Sequence, residues 1–191
     1  MANGIITIAS IVFSIALMPP ENSLPTAPQL QNSSVKKQIR KKDTPAGIVA
    51  NYGKYDFKFT SLDGRTYQLL QFGGKITLVN IWAPWCEPCK KETDGLVRLY
   101  NRYHLKGFEI IGIAIQTTAP EVLSFIQSHK VRWPVGIKDN ITKLYKSVGI
   151  PASYLFSPDG NLIKEFIGYT DERALEAILG EALKKLPTKK R

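Results

Sequence analysis

Val79-Asn80-Ile81-Trp82-Ala83-Pro84-Trp85-Cys86-Glu87-Pro88-Cys89-Lys90-Lys91-Glu92 decides the fold of this chain. Its first half completes Lys75–Ala83, a β-branched and apolar run with the composition of a strand buried on both faces. Its second half opens Cys86–Tyr103, where Leu96, Leu99 and Tyr100 recur at helical spacing and acids come early. A Cys-x-x-Cys pair therefore sits where a strand hands over to a helix. There the first thiol meets backbone N–H groups with no intrahelical partner, and the positive end of the helix dipole favours its thiolate. The thiolate is the nucleophile of disulfide exchange, so Cys86 is the expected attacking group. Cys89, one turn later, lies within reach to resolve a mixed disulfide. Pro88 suits an early helical position and stiffens the loop, and with Glu87 it is expected to modulate the pair. A zinc site would need two further ligands, and His104 and His129 lack a ligand-like spacing to the cysteines. No metal and no cofactor are expected.

Outward from this pair, strands and helices alternate. Tyr55–Thr60 has strand composition, and Leu62-Asp63-Gly64 turns into Thr66–Leu70. Phe108–Gln116 reads as a second buried strand, and Pro120–His129 as a helix with Pro in its first turn. Asn140–Val148 is a short helix ending near Gly149. Ala152–Ser157 and Asn161–Tyr169 form a hairpin around Ser157-Pro158-Asp159-Gly160, and Asp171–Leu186 closes the chain as an amphipathic helix. This order implies one layered α/β domain over 55–186.

Of 191 residues, 43% are hydrophobic and 22% charged, which suffices for a core and excludes whole-chain disorder. The net charge of +10 sits mostly in two tails. Lys36, Lys37, Arg40, Lys41 and Lys42 lie in the first, and Lys184, Lys185, Lys189, Lys190 and Arg191 in the second. Residues 56–183 are nearly neutral, so no nucleic-acid partner is expected. Ile5–Met18 is an apolar run ended by Pro19-Pro20, of a length that suits a signal peptide better than a bilayer span. No Lys or Arg precedes it, Ser14-Ile15-Ala16 is its best cleavage site, and no Cys follows it for a lipid anchor. Residues 1–18 are thus expected to export the chain or anchor it to a membrane through 5–18. Residues 19–54 read as a flexible basic linker and 187–191 as a basic tail.

The quoted stretch, with Asp56-Phe57, Leu62-Asp63-Gly64, Val148-Gly149-Ile150-Pro151, Ser157-Pro158-Asp159-Gly160-Asn161 and Gly168 in order, resembles the thioredoxin superfamily. More narrowly it resembles the TlpA/ResA-like exported thiol-disulfide oxidoreductases. The resemblance implies a thioredoxin-like α/β fold: a central mixed sheet flanked by helices, with an added N-terminal hairpin and an inserted helix near 120–129. It implies a cis bond before Pro151 and a substrate-facing surface made by Trp85, Ile150 and Pro151. A peroxiredoxin shares the fold, but its Pro-x-x-x-Thr-x-x-Cys motif would need Pro at 79 and Thr at 83, where this chain has Val79 and Ala83.

Asn80 falls where thioredoxin carries a buried acid and reads here as a hydrogen-bonded core residue. Glu92 matches a glutamate that tunes the thiols in the ResA-like group, against the alternative of a solvated surface acid. Trp82 reads as packing. The implied activity is reduction of protein disulfides outside the cytoplasm, such as those of apocytochrome c during haem attachment. The implied partners are protein thiols and disulfides and a membrane-bound thiol electron donor. A disulfide-donating oxidant and a redox-inactive module that holds thiol partners are the alternatives.

Overall fold

The computed structural model describes residues 50–186; the segment 1–18, most of the stretch 19–54 and the tail 187–191 lie outside them. Among the described residues the elements run β1 (Lys58–Thr60), β2 (Thr66–Gln68), β3 (Ile76–Trp82), α1 (Glu87–Tyr103), β4 (Phe108–Ala114), α2 (Ala119–Ser128), β5 (Val135–Ile137), α3 (Ile141–Tyr145), β6 (Ala152–Phe156), β7 (Leu162–Ile167) and α4 (Glu172–Lys184). The central sheet has the order β5-β4-β3-β6-β7, and β1 and β2 form a separate hairpin. β3 pairs parallel with β4 and antiparallel with β6. The helix between β3 and β4 makes that parallel pairing possible, because parallel strands need a long crossover.

β3 and β4 are buried along their whole length, so their sequences show no alternation. The alternation reappears in their contacts. Ile76, Leu78 and Trp82 of β3 face a core shared with Leu96 and Leu99 of α1, Phe125 of α2, and Leu175 and Leu179 of α4. Val79 and Ile81 face the opposite core with Phe57, Phe59, Leu69 and Phe72 of the hairpin region and Ile141 and Tyr145 of α3. Each fully buried Leu or Ile contributes about 1.5–3 kcal/mol. Three layers result, with β3 at the centre, and the expected thioredoxin-like architecture is present.

The differences lie at element ends. β1 is shorter than the expected strand, because Gly53–Tyr55 forms a 3-10 turn in front of it. Leu69–Phe72 likewise forms a 3-10 turn, closed by reciprocal hydrogen bonds between Gln68 and Gln71. The packed chain also begins ahead of Tyr55, inside the stretch read as linker. Ala50 and Tyr52 are buried, Tyr52 meets Phe156 edge-on at 5.3 Å, and the Asn51 N–H donates to the Asp159 carbonyl at 2.8 Å. β5 is an element the sequence reading lacks. Three residues with a central glycine carry no strand pattern, yet Gly136 is required. A Cβ there would meet Phe59 and the Thr60 carbonyl at 2.7 Å, where the hairpin docks through the Ser61–Gly136 bridge.

Candidate active site

Three loops converge at one end of β3. Its last residue, Trp82, pairs with Ala114, so the segments after β3 and β4 leave the sheet side by side. The Ile115 N–H donates to the Trp82 carbonyl at 3.0 Å and extends that alignment. Ile81 pairs with Ala152, which brings the segment before β6 to the same end. Open α/β sheets place their sites at the carboxyl ends of such strands.

The cysteines occupy the first of these loops. Cys86 is the N-cap of α1, and its sulfur accepts the Cys89 N–H at 3.3 Å. Glu87 and Pro88 fill the first helical positions, where the absent proline N–H leaves no intrahelical bond unmade. The sulfurs are joined, with an S–S distance of 2.12 Å and Cα atoms 5.2 Å apart. Cys86 is 5% exposed and Cys89 1%, so Cys86 is the more accessible of the two.

Glu92 is buried, not a surface acid. It is 4% exposed, on the face of α1 that also carries Cys89, Leu96 and Leu99. Asn80 Nδ2 donates to Glu92 Oε2 at 3.2 Å, and the Thr170 backbone N–H donates to Oε1 at 3.2 Å. Asn80 Nδ2 also donates to Ser153 Oγ at 3.0 Å, which fixes the amide orientation. Both groups that donate to the carboxyl are neutral. Burial therefore dominates and pushes the Glu92 carboxyl up from 4.5 to about 7, while the donated hydrogen bonds pull the other way. Asn80 and Glu92, read separately in the sequence, form one buried unit. Strand β3 supplies the amide that holds the acid of α1.

Around the pair, Trp85 is 54% exposed and its indole Nε1 donates to the Gln116 carbonyl at 2.9 Å. Trp82 is buried against Phe125, with ring centroids 4.5 Å apart, as a packing residue. The Ile150–Pro151 bond is cis. Pro151 is buried and its carbonyl accepts the Gly168 N–H at 2.8 Å, while Ile150 is half-buried and packs against both cores. Glu87 is exposed and pairs with Lys90. A groove lined by Glu87, Pro88, Lys91 and the exposed Tyr169 runs alongside. The ring of His129 bonds Asp94 and that of His104 stacks on Tyr100.

Ser153, Thr170 and Gln116 escape the sequence reading. Thr170 and Gln116 act through backbone atoms, which leave no residue-type signal. Glu92 did carry a signal: Cys89, Glu92, Leu96 and Leu99 fall at helical spacing on one apolar stripe.

Residues 49–183 match the model of the Redoxin family. The chain is 35% identical over 126 residues to the thiol-disulfide oxidoreductase ResA of Bacillus thuringiensis subsp. konkukian, covering 65% of this chain and 73% of that one. It is 33% identical over 127 residues to the protein of the same name from Bacillus anthracis, with the same 65% and 73% coverage. The fold is similar to that of a thiol:disulfide interchange protein of the thioredoxin family from Chlorobium tepidum TLS. There the TM-score is 0.63 at 24% identity, covering 67% of this chain and 93% of the other.

Proposed function

This chain belongs to the Redoxin family, and from that premise we propose that its Cys86–Cys89 pair reduces disulfides of protein substrates outside the cytoplasm. It is a thiol-disulfide oxidoreductase. The observation that carries the direction of the reaction is the buried Glu92 carboxyl behind the pair, held by neutral partners alone. A carboxylate there opposes the helix dipole at Cys86 and raises the thiol pKa values, which disfavours the stabilised thiolate of a strong oxidant and suits a reductant.

In the reduced form the Cys86 thiolate attacks one sulfur of the substrate disulfide. The S–S bond of the substrate breaks, its other sulfur leaves as a thiolate and takes a proton, and a mixed disulfide forms at Cys86. Cys89 then loses its proton, attacks the Cys86 sulfur and expels the second substrate thiolate. A buried thiol resists ionisation, and Glu92, with a pKa of about 7, is matched to accept that proton near neutral pH. The products are a reduced substrate and the Cys86–Cys89 disulfide; a dithiol donor returns two electrons and two protons.

Trp85, Ile150 and Pro151 form the substrate-facing rim in this reading, and Glu87 and Pro88 shape the helix start that sets the reactivity of Cys86. Residues 1–18 serve as an export or anchor segment and the basic stretch after them as linker. The donor in this reading is a membrane-bound thiol protein, and apocytochrome c awaiting haem is the substrate. Trapping tests the core of the reading: Cys89→Ser accumulates mixed disulfides with substrate proteins, and Cys86→Ser accumulates none. Trapping by Cys86→Ser alone reverses the roles, and trapping by neither rules out exchange.

A further inference from the structure

Gln116 stands in the loop between β4 and α2 with φ of +49°, a left-handed conformation that non-glycine residues rarely hold without support. Both of its backbone polar groups are tied to side chains from other loops. Its N–H donates to Asp139 Oδ1 at 2.7 Å, and its carbonyl accepts the Trp85 indole N–H at 2.9 Å. Asp139 follows β5, and its own position is fixed on both sides. The neighbouring Lys138 N–H donates to the Ala114 carbonyl at 3.0 Å, and Thr142 Oγ1 donates to the Asp139 carbonyl at 3.2 Å. The bond from Asp139 is charge-assisted and short, the stronger kind for holding a strained peptide.

The Gln116 side chain takes no part in this chain of contacts. Its peptide is a relay: one edge is fixed by a carboxylate, the other fixes an exposed tryptophan next to Cys86. Without it, Trp85 would have rotamer freedom about both its χ angles and would pay that entropy on meeting a substrate.

We propose that Asp139 is a positioning residue that, through the backbone of Gln116, presents the Trp85 indole beside Cys86 to protein substrates. The inference rests on the reading of Trp85 as substrate-facing, and the experiment below separates the two. Asp139 touches neither sulfur nor substrate; it acts by preorganising the ring that does.

The test compares Asp139→Ala, Asp139→Asn, Gln116→Gly and Trp85→Ala with the full chain. Acrylamide quenching of tryptophan fluorescence reads the ring directly, because Trp82 and Trp133 are buried and Trp85 is the exposed indole. Insulin reduction supplies KM and kcat, and the rate of reduction of the Cys86–Cys89 bond by dithiothreitol reports whether the thiols themselves are disturbed. Asp139→Ala should raise quenching of Trp85 and raise KM about three- to tenfold, the range of one lost hydrogen bond, with kcat and the dithiothreitol rate unchanged. Asp139→Asn keeps an acceptor and restores both readouts. Gln116→Gly keeps the peptide groups and accepts the positive φ, so its ring stays anchored. Unchanged quenching in Asp139→Ala overturns the proposal, as does a Gln116→Gly variant that loses the anchor. Loosening of the ring by Asp139→Ala, with KM unmoved by Trp85→Ala, keeps the positioning contact and removes the substrate-facing role.

Discussion

Replacing Glu92 with glutamine should remove the pH dependence of stability that this one side chain imposes. Burial moves the Glu92 carboxyl from 4.5 to about 7 in the folded chain. An acid whose folded pKa is raised binds more protons folded than unfolded between those two values. Its favourable contribution is fully present below pH 4.5 and is lost as pH rises through about 7. At about 1.36 kcal/mol for each pH unit between the two values, that loss comes to about 3 kcal/mol. Glutamine does not titrate, so the variant lacks the decline. Its amide carries donors where Asn80 and Thr170 already donate, and one of these groups goes unsatisfied at a cost of about 1–3 kcal/mol. The variant should therefore be the less stable protein at pH 4 and gain about 3 kcal/mol on the parent by pH 8. Urea unfolding of the disulfide-bonded form at pH 4, 5, 6, 7 and 8 measures this with no thiol titration in the way. Titrating groups common to both proteins cancel in the difference. A difference between the two proteins that stays constant with pH would refute the reasoning, since Glu92 would then titrate as a solvated acid.

Removing the amide should act on the same carboxyl in the opposite sense. Asn80→Ala deletes a donor to the ionised form, so the Glu92 carboxyl resonance should titrate above the parent's, and the pH profile of insulin reduction should move alkaline with it. An unmoved resonance would separate Asn80 from Glu92. Ser153→Ala leaves that donor in place but frees the Asn80 amide to turn, so its effect should be in the same direction and smaller. Far from the thiols, Gly136→Ala drives a Cβ to within 2.7 Å of Phe59 and the Thr60 carbonyl and should cost about 1–3 kcal/mol in urea unfolding. The rate of Cys86–Cys89 reduction by dithiothreitol should not change, and a neutral substitution would mean that the hairpin is not docked on β5.

The elements that position the cysteines are legible because their signals agree. β3 is apolar and β-branched throughout, α1 starts on a residue that caps it, and the pair falls between them. Less legible is which face of β3 each residue takes, since a strand buried on both sides loses its alternation; only Asn80, bonded to α1, marks a face. β5 is invisible because its glycine is chosen by Phe59 across a tertiary contact and not by the strand. The onset of the packed chain at Ala50 and Tyr52 is hidden for a similar reason, as its anchors, Phe156 and Asp159, lie a hundred residues on in sequence. Within the site, Cys86, Cys89 and Glu92 carry residue-type signals. The groups that orient Glu92 and Trp85 include the backbones of Thr170 and Gln116, which any residue type supplies, and so no pattern announces them.

The reduction potential of the Cys86–Cys89 couple is the most direct measure of the account as a whole. It is set by how well the reduced form is stabilised, and the structure holds an acid behind the pair where a strong oxidant needs the thiolate favoured. Equilibration of the protein with glutathione or dithiothreitol redox buffers at pH 7 should give a reversible two-electron couple at a reductant's potential, about −250 mV or below, near thioredoxin's. A value near the roughly −120 mV of a disulfide donor, or no reversible couple at all, would contradict it.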